Sequence, residues 1–252
     1  MEETNFQQPT KDSIIVEIRA GVGGDEAALF AADLFNAYNK YASSQGWNVT
    51  MMDESFNELK GYKEVIFKIS GQGVYDKFQY EGGVHRVQRI PKTEKSGRIH
   101  TSTISVAIMP IPSQTEIQIQ PHEIRFETCK SGGAGGQNVN KRETAVRIVH
   151  IPTNIAVESQ GSRNQQQNRE NAMALLRAKL FDVKNMQQNL EMQSQRNAQI
   201  GSADRSEKIR TYNFPQDRVT DHRINESWHN IEKIMEGKMD KMFNELAQAF
   251  KK

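Results

Sequence analysis

From Arg169 to Gln199 the chain keeps apolar residues at three-to-four spacing, with Ala172, Leu175, Leu176, Leu180, Val183 and Leu190 on one stripe. This spacing predicts one long helix over 169–199. At about 1.5 Å per residue it is a rod of roughly 45 Å. A chain of 252 residues holds one large domain or two to three small ones. Pro110, Pro112 and Pro121 bracket a polar stretch, so a first boundary is expected near 111–115, and Gly201-Ser202 marks a second after the rod. Before the first boundary the pattern is mostly that of strands. Ile14 to Arg19 alternates apolar and polar, and Trp47–Asp53, Glu64–Ser70, Val74–Tyr80 and 103–109 also read as strands. Between them, Ala27–Tyr41 has helical spacing behind the turn Ala20-Gly21-Val22-Gly23-Gly24, with Asp25 as an acid at the helix start. Residues 82–102 read as a basic loop. Beyond the boundary, Ile124–Thr128 alternates, Ala145–His150 and Ile155–Ser159 pair across Pro152-Thr153-Asn154, and Ile224–Phe250 reads as an amphipathic helical region interrupted near Gly237. The class expected is α+β with several domains.

Composition excludes several functions. The hydrophobic fraction is 36% and mean hydropathy −0.72, and no run of about 18 apolar residues could form a membrane span. Met1–Lys11 lacks the apolar segment of a secretory signal. With Cys129 as the single cysteine, neither an intramolecular disulfide nor a multi-cysteine metal site is possible, so no metal is expected and a reducing, cytoplasm-like compartment is the default. The net charge of +2 conceals an asymmetry: residues 1–81 carry 7 Lys/Arg against 13 Asp/Glu, whereas 82–225 carry 21 against 13. A basic middle section suits a polyanionic partner.

That section contains Ser131-Gly132-Gly133-Ala134-Gly135-Gly136-Gln137-Asn138-Val139-Asn140. Glycines in such number bury no core and cost backbone entropy, and they let backbone approach another molecule closely. No Gly-Lys-Ser/Thr follows, so it is not a Walker loop, and no repeated βαβ array follows, so it is not a dinucleotide fingerprint. Lys130, Lys141 and Arg142 flank it and suit RNA phosphates. On composition alone it reads equally as a solvent-facing loop.

Gly135-Gly136-Gln137 in this context resembles the GGQ signature of bacterial-type class I peptide release factors. So do His150-Ile151-Pro152-Thr153-Asn154-Ile155, Arg163-Asn164-Gln165-Gln166-Gln167-Asn168, Arg210-Thr211-Tyr212-Asn213-Phe214-Pro215 and Arg218-Val219-Thr220-Asp221-His222-Arg223-Ile224-Asn225. The blocks are colinear and cover nearly the whole chain from about residue 13. The resemblance implies that the loop enters the ribosomal peptidyl-transferase centre, where water attacks the peptidyl-tRNA ester. In that role Gly135 and Gly136 allow the backbone geometry, the Gln137 N–H stabilises developing negative charge, and the Gln137 side chain helps place the water. Catalysis is then shared with the ribosome. The implied partners are ribosomal RNA, the messenger's stop codon and the P-site peptidyl-tRNA. Gln137 is the expected site for a glutamine N5-methyltransferase. No cofactor and no membrane partner are implied, and the protein is expected as a monomer.

Pro91-Lys92-Thr93 is similar to the P-x-T tripeptide of the factors that read UAA and UAG, and the Ser-Pro-Phe of UGA readers is absent. By the same resemblance Gly23 and Glu26 favour U at the first position, Thr93 contacts the first two bases, His100 stacks on the second, and Gln88 and Thr101 read the third. A threonine hydroxyl donates and accepts, which fits tolerance of either purine.

The sequence departs from the family pattern at Lys92, where a small residue is common, at Ser96, where glutamine is common, and at Asp217, where glycine is common. The family's N-terminal helical domain has no counterpart in this sequence, so either a naturally short factor or a truncated chain is expected, and Met1–Lys11, which does not resemble the family's usual linker, mildly favours the former. The expected organisation is a flexible 1–12, a codon-recognition domain over 13–110, a GGQ domain over 111–200 ending in the long helix, and 201–252 packing with the codon-recognition domain. The linkers near 111–115 and 201–209 are the expected hinges. Two rival readings are a codon-independent ribosome-rescue hydrolase and a non-catalytic RNA- or ribosome-binding protein. Rescue hydrolases typically lack the codon motifs and carry a basic tail, whereas 226–252 balances at 5 Lys/Arg and 5 Asp/Glu.

Overall fold

The computed structural model describes residues 12–91, 94, 96–111, 119–129, 144–201 and 203–251. The chain divides into two compact units, one formed by 1–113 with 192–252 and the other by 114–191. The class is α+β.

The first unit is built on strand alternation. In β1 (Ser13–Ala20), Ile14, Val16 and Ile18 are fully buried. They lie opposite Ile69, Phe67 and Val65 of β3 (Tyr62–Ser70), and Val16 and Ile18 lie opposite Ile108 and Val106 of β5 (His100–Pro110). With β2 (Asn48–Phe56), β4 (Gly83–Arg89), β9 (Lys208–Asn213), β10 (Arg218–Asp221) and β11 (Glu226–His229) they form one sheet in the order β11-β10-β9-β4-β5-β1-β3-β2. All of its neighbours pair antiparallel except β4 and β9.

Helix α1 (Asp25–Ser44) covers this apolar face. It begins behind Gly24 (φ 57°) with two acids at its positive end, and Ala27, Phe30, Ala31, Leu34, Ala37, Tyr38 and Tyr41 face the sheet. The C-terminal segment completes the same core with Tyr212, Val219, Trp228, Met242, Phe243 and Leu246.

On the opposite face of β1, Glu17 is buried. It accepts both the Nε and an Nη of Arg196 at 2.6 Å from the last turns of α3 (Gln165–Ile200), and it also pairs with Arg19. Burial works to raise the Glu17 carboxyl, and the two arginines outweigh it, so its pKa lies below the ordinary value. Gln199 donates to the Ile108 carbonyl (3.0 Å) and accepts from the Ile108 N–H (2.7 Å), which serves the β5 edge beyond the end of β4.

A charged cluster lies inside this unit. Arg210, Glu81, Asp221 and His85 are all 0% exposed. Arg210 donates to Glu81 (2.6 Å) and Asp221 (3.2 Å), Arg223 donates to Asp221 (2.7 Å), and the Tyr38 hydroxyl donates to Glu81 (2.7 Å). Buried ions cost desolvation and are retained only when paired. Here the pairing joins α1, the segment before β4, β9 and β10.

Three expectations are corrected. Val74–Tyr80 is not a strand: α2 (Val74–Phe78) is a short helix in which Val74 and Phe78, four apart, are both fully buried. The basic loop expected at 82–102 contains strand β4, whose polar residues face a second layer of contacts rather than solvent alone. His85, for one, is buried with Nε2 2.9 Å from the Glu81 carbonyl oxygen. The helical region expected over 224–250 begins as β11, and Gly237 (φ 93°) separates α4 (Ile231–Met235) from α5 (Asp240–Phe250).

In the second unit, β6 (Ile124–Cys129), β7 (Ala145–His150) and β8 (Ile155–Ser159) form an antiparallel meander. Val146, Ile148 and Val157 pack on Ala172, Leu176 and Leu180 of α3. That helix spans 165–200, slightly longer than the 169–199 expected, and its turns from Met192 belong to the first unit.

Candidate functional site

At one end of the first unit the turn before α1 is locked to the start of β5. The Thr103 N–H donates to the Val22 carbonyl (2.8 Å), the Gly21 N–H to the Thr103 carbonyl (2.8 Å) and the Val22 N–H to Thr103 Oγ1 (2.9 Å). Gly23 follows at φ 129°, and a Cβ there would overlap the Ser102 side chain, so only glycine fits. Glu26, 4% exposed, accepts from Arg89 Nε (2.5 Å), whose other nitrogen donates to Asp33 (2.6 Å). The guanidinium sits over Phe30 and Phe214. Glu26 Oε2 is buried without a partner among the described residues.

Register fixes the neighbours. Gln88 lies opposite Thr101, and Arg89 opposite His100. Gln88 Oε1 accepts from Asn213 (3.3 Å) and its carbonyl from the Phe214 N–H (3.0 Å). The exposed His100 places Nε2 2.7 Å from Glu94. The Ser96 N–H and then His100 hold the Glu94 carboxyl below its ordinary range. Pro91 is buried, and its carbonyl accepts from the Glu94 N–H (3.1 Å). Six of the eight residues expected to read a codon thus converge: Gly23 on Ser102, Glu26 on Arg89, Gln88 on Thr101, with Pro91 and His100 bounding the turn between β4 and β5. Lys92 and Thr93 lie outside the described residues. The convergence combines amide, hydroxyl and imidazole groups, which can bond base edges and stack on a base face.

In the second unit, Lys130, Gly135, Gly136, Gln137, Lys141 and Arg142 lie outside the described residues, and their anchors are defined. Cys129 pairs with Ala145, so 130–144 connects β6 to β7. One residue there carries no role in the sequence reading. Asn168, fully buried, donates to the carbonyls of Thr144 (2.7 Å) and Ser162 (2.8 Å) and accepts from the Ser162 N–H (2.9 Å) and Ser159 Oγ (3.4 Å). It clamps Thr144, the residue before β7, to the first turn of α3. Its signal was an asparagine on the helix stripe, four before Ala172. No group of His, Cys, Asp and Glu among the described residues is arranged to hold a metal.

Comparison with known proteins fits this layout. Residues 6–106 match the PCRF domain, and 113–223 match the RF-1 domain. The chain belongs to the class I bacterial peptide chain release factors. It is 53% identical over 234 residues to peptide chain release factor 1 of Carboxydothermus hydrogenoformans, covering 93% of this chain and 65% of that protein. With the corresponding protein of Caldicellulosiruptor bescii it is 52% identical over 238 residues, covering 94% and 67%. The chain therefore spans about two thirds of the length of these curated relatives. The solved structure of RF2 of Thermus thermophilus matches at a TM-score of 0.58 and 29% identity, covering 98% of this chain and 71% of that one. Among the described residues no helix is long and apolar enough to cross a membrane.

Proposed function

We propose that this chain terminates translation: it recognises UAA and UAG in the ribosomal A site and promotes hydrolysis of the P-site peptidyl-tRNA ester. The observation that carries the reading is the convergence of Gly23, Glu26, Gln88, His100 and Thr101 at one end of the sheet, in a family member that keeps Gly135-Gly136-Gln137. In this reading 13–110 with 201–252 is the codon-reading body, to which the α3 turns from Met192 are bonded, the rest of 111–200 is the hydrolysis domain, and the linker near 111–115 is a hinge, whereas 201–209 lies within the first unit. Glu26, held by Arg89, fixes the α1 tip against which the first base is read. His100 stacks on the second base, and Gln88 with Thr101 meets the third. Thr93 in Pro91-Lys92-Thr93 completes the selection. At the other site the Gln137 N–H stabilises the oxyanion or the departing ribose oxygen, its side chain places the water, and Lys130, Lys141 and Arg142 contact RNA phosphates. No general base from the protein is required, so catalysis is shared with the ribosome. Gln137 is also the residue a glutamine N5-methyltransferase would modify, and the protein acts as a monomer in the cytoplasm.

The test is release of labelled formyl-methionine from ribosomes with UAA, UAG, UGA or a sense codon in the A site. Release at UAA and UAG alone is expected, and Gln137→Ala should abolish release while leaving ribosome binding intact. Release at every codon would instead identify a rescue hydrolase. Binding without release at any codon would identify a non-catalytic factor.

A further inference from the structure

The sheet of the first unit has an unused face. Side chains that lie directly opposite one another on neighbouring strands share a face, so the register defines rows running across the sheet. One row starts at Thr101 and Gln88 and continues through Asn213, Arg218 and His229. The next runs from Arg86 through Thr211 and Thr220 to Ser227. Both rows lie opposite the core face, where Val87, Tyr212, Val219 and Trp228 are buried. Thr103, beyond Arg86, is covered because its hydroxyl donates to the Ala203 carbonyl (2.9 Å). From β4 outward the rows open: Arg218, Ser227 and His229 are exposed, and Arg86, Gln88, Asn213 and Thr220 are half-buried.

The composition of this face is selective. Every residue in the two rows is a hydroxyl, amide, imidazole or guanidinium, and none is acidic or apolar. The cations lack carboxylate partners among the described residues. Arg86 Nε donates to Thr211 Oγ1 (3.1 Å), which also lies 2.7 Å from His222 Nε2, and Arg218 donates to Gln216 (2.8 Å). Burial first, and then Lys208 and Arg86, hold His222 below its ordinary pKa, and these two cations stand at the margin of this face. Of the neighbouring carboxylates, Asp221 is buried and engaged by Arg210 and Arg223, and Asp217, which precedes Arg218, accepts from the Asn230 and Ile231 N–H groups. Protein interfaces are centred on apolar and aromatic groups, which this face lacks. Recognition of unpaired bases needs aromatic platforms, also lacking beyond His229. Cations spaced among hydroxyls and amides instead suit the phosphates and 2′-hydroxyls of folded RNA.

We infer that the β4-β9-β10-β11 face docks on the backbone of folded ribosomal RNA, continuing the surface that begins at Gln88 and Thr101. The inference rests on the ribosome being the partner. Arg218 and Arg86 carry the phosphate contacts, and Thr220 and Ser227, whose hydroxyls bond each other at 2.9 Å, line the path between the outer strands. Contacts of this kind strengthen binding without regard to codon and are salt-dependent, because each neutralised phosphate releases counterions.

The test compares the full chain with Arg218→Glu, Arg218→Gln and Arg86→Gln. Binding to ribosomes is titrated at several salt concentrations, both without messenger and with UAA programmed, alongside release at saturating factor. Arg218 is exposed, so its variants should fold as the parent does. Each variant should weaken binding about three- to tenfold, with or without messenger, and lower the slope of log affinity against log salt by about one. Saturating release should be unchanged. Equal affinities and slopes for all four proteins, with wild-type release at UAA intact, would overturn the inference and leave the termination reading standing. A loss seen only with messenger present would also overturn it, assigning the face to the message. A codon-independent, salt-dependent loss in a protein whose wild type releases nothing at stop codons would uphold the RNA face and overturn termination.

Discussion

At the scale of single residues, two side-chain sites carry unusual constraint. An asparagine amide has two donors and two acceptor lone pairs, and Asn168 uses all four in a site from which solvent is excluded. Asn168→Ala orphans two carbonyls and one N–H, and an unmade buried hydrogen bond costs about 1–3 kcal/mol. Local stability should therefore fall by about 2–4 kcal/mol after partial relief by water. Asn168→Asp should cost at least as much, because a carboxylate would face two carbonyl oxygens. Both tryptophans, Trp47 and Trp228, belong to the first unit, so their fluorescence would miss the change. Hydrogen exchange over 145–159 would report it as faster exchange confined to β7 and β8. Since Thr144 closes the connection that carries Gln137, release at saturating factor should slow while ribosome affinity holds. Gly23 is the second site. Gly23→Ala puts a methyl into the Ser102 side chain at φ 129°, which forces the α1 tip off β5. Affinity for UAA-programmed ribosomes should fall at least tenfold, while binding to messenger-free ribosomes changes little.

At the scale of elements, local pattern decided what the sequence could reveal. Strand β1 was legible from its alternation, β7 and β8 from two short apolar-rich runs flanking Pro152-Thr153-Asn154, and α1 and α3 from helical spacing, although in α3 only Ala172, Leu176 and Leu180 of the apolar stripe are buried while Leu175, Val183 and Leu190 are exposed. Val74–Tyr80 was misread because seven residues with Val74, Phe78 and Tyr80 apolar satisfy both periods. The core decided it, by burying two residues one helical turn apart. Strand β4 was hidden by its charges: Arg86 and Arg89 find partners in β9 and α1 that no local pattern reveals. The codon-site residues were legible only through motif resemblance, and Asn168 was missed because its partners are the backbone of Thr144 and Ser162 and the Ser159 hydroxyl, which no helical spacing reveals. The α2 assignment makes a definite prediction. Phe78 meets Tyr38, Tyr41, Trp47 and Phe243 with ring centroids between 5.2 and 6.2 Å. Phe78→Ala should destabilise the first unit by about 3–5 kcal/mol, read by tryptophan fluorescence on urea unfolding. Lys77→Ala, one position away and losing only a solvent-exposed hydrogen bond to Asn244, should cost under about 1 kcal/mol.

At the scale of the whole molecule, the charged cluster makes the first unit's stability depend on pH, and the order in which its groups titrate sets the profile. His85 is fully buried. Burial first, and Arg210 second, push it down from 6.5 to about 4. Its folded pKa is depressed, so between about 6.5 and 4 the unfolded chain binds a proton that the folded chain refuses. The neutral imidazole therefore contributes fully above about pH 6.5 and progressively less as pH falls toward 4. A depression of this size corresponds to about 3 kcal/mol, with a maximum slope near 1.4 kcal/mol per pH unit. Glu81 and Asp221 act lower on the scale. Burial works to raise both carboxyls, but Arg210 on Glu81, and Arg223 with Arg210 on Asp221, outweigh it and hold both below their ordinary values. Their contribution is present above the unfolded carboxylate range and is lost as pH falls through the lowered folded values. Stability should thus decline in two stages, a histidine stage from pH 6.5 to 4 and a carboxylate stage below it. Urea unfolding followed by tryptophan fluorescence at half-unit pH intervals separates them. In His85→Gln, whose amide can still donate to the Glu81 carbonyl, the first stage should flatten while the second persists. In Glu81→Gln the second stage should shrink, and stability should drop at every pH because Arg210 loses a buried counter-charge. A first stage unchanged in His85→Gln would mean that the slope arises from other histidines, and the buried imidazole would then have no part in the acid sensitivity of the fold.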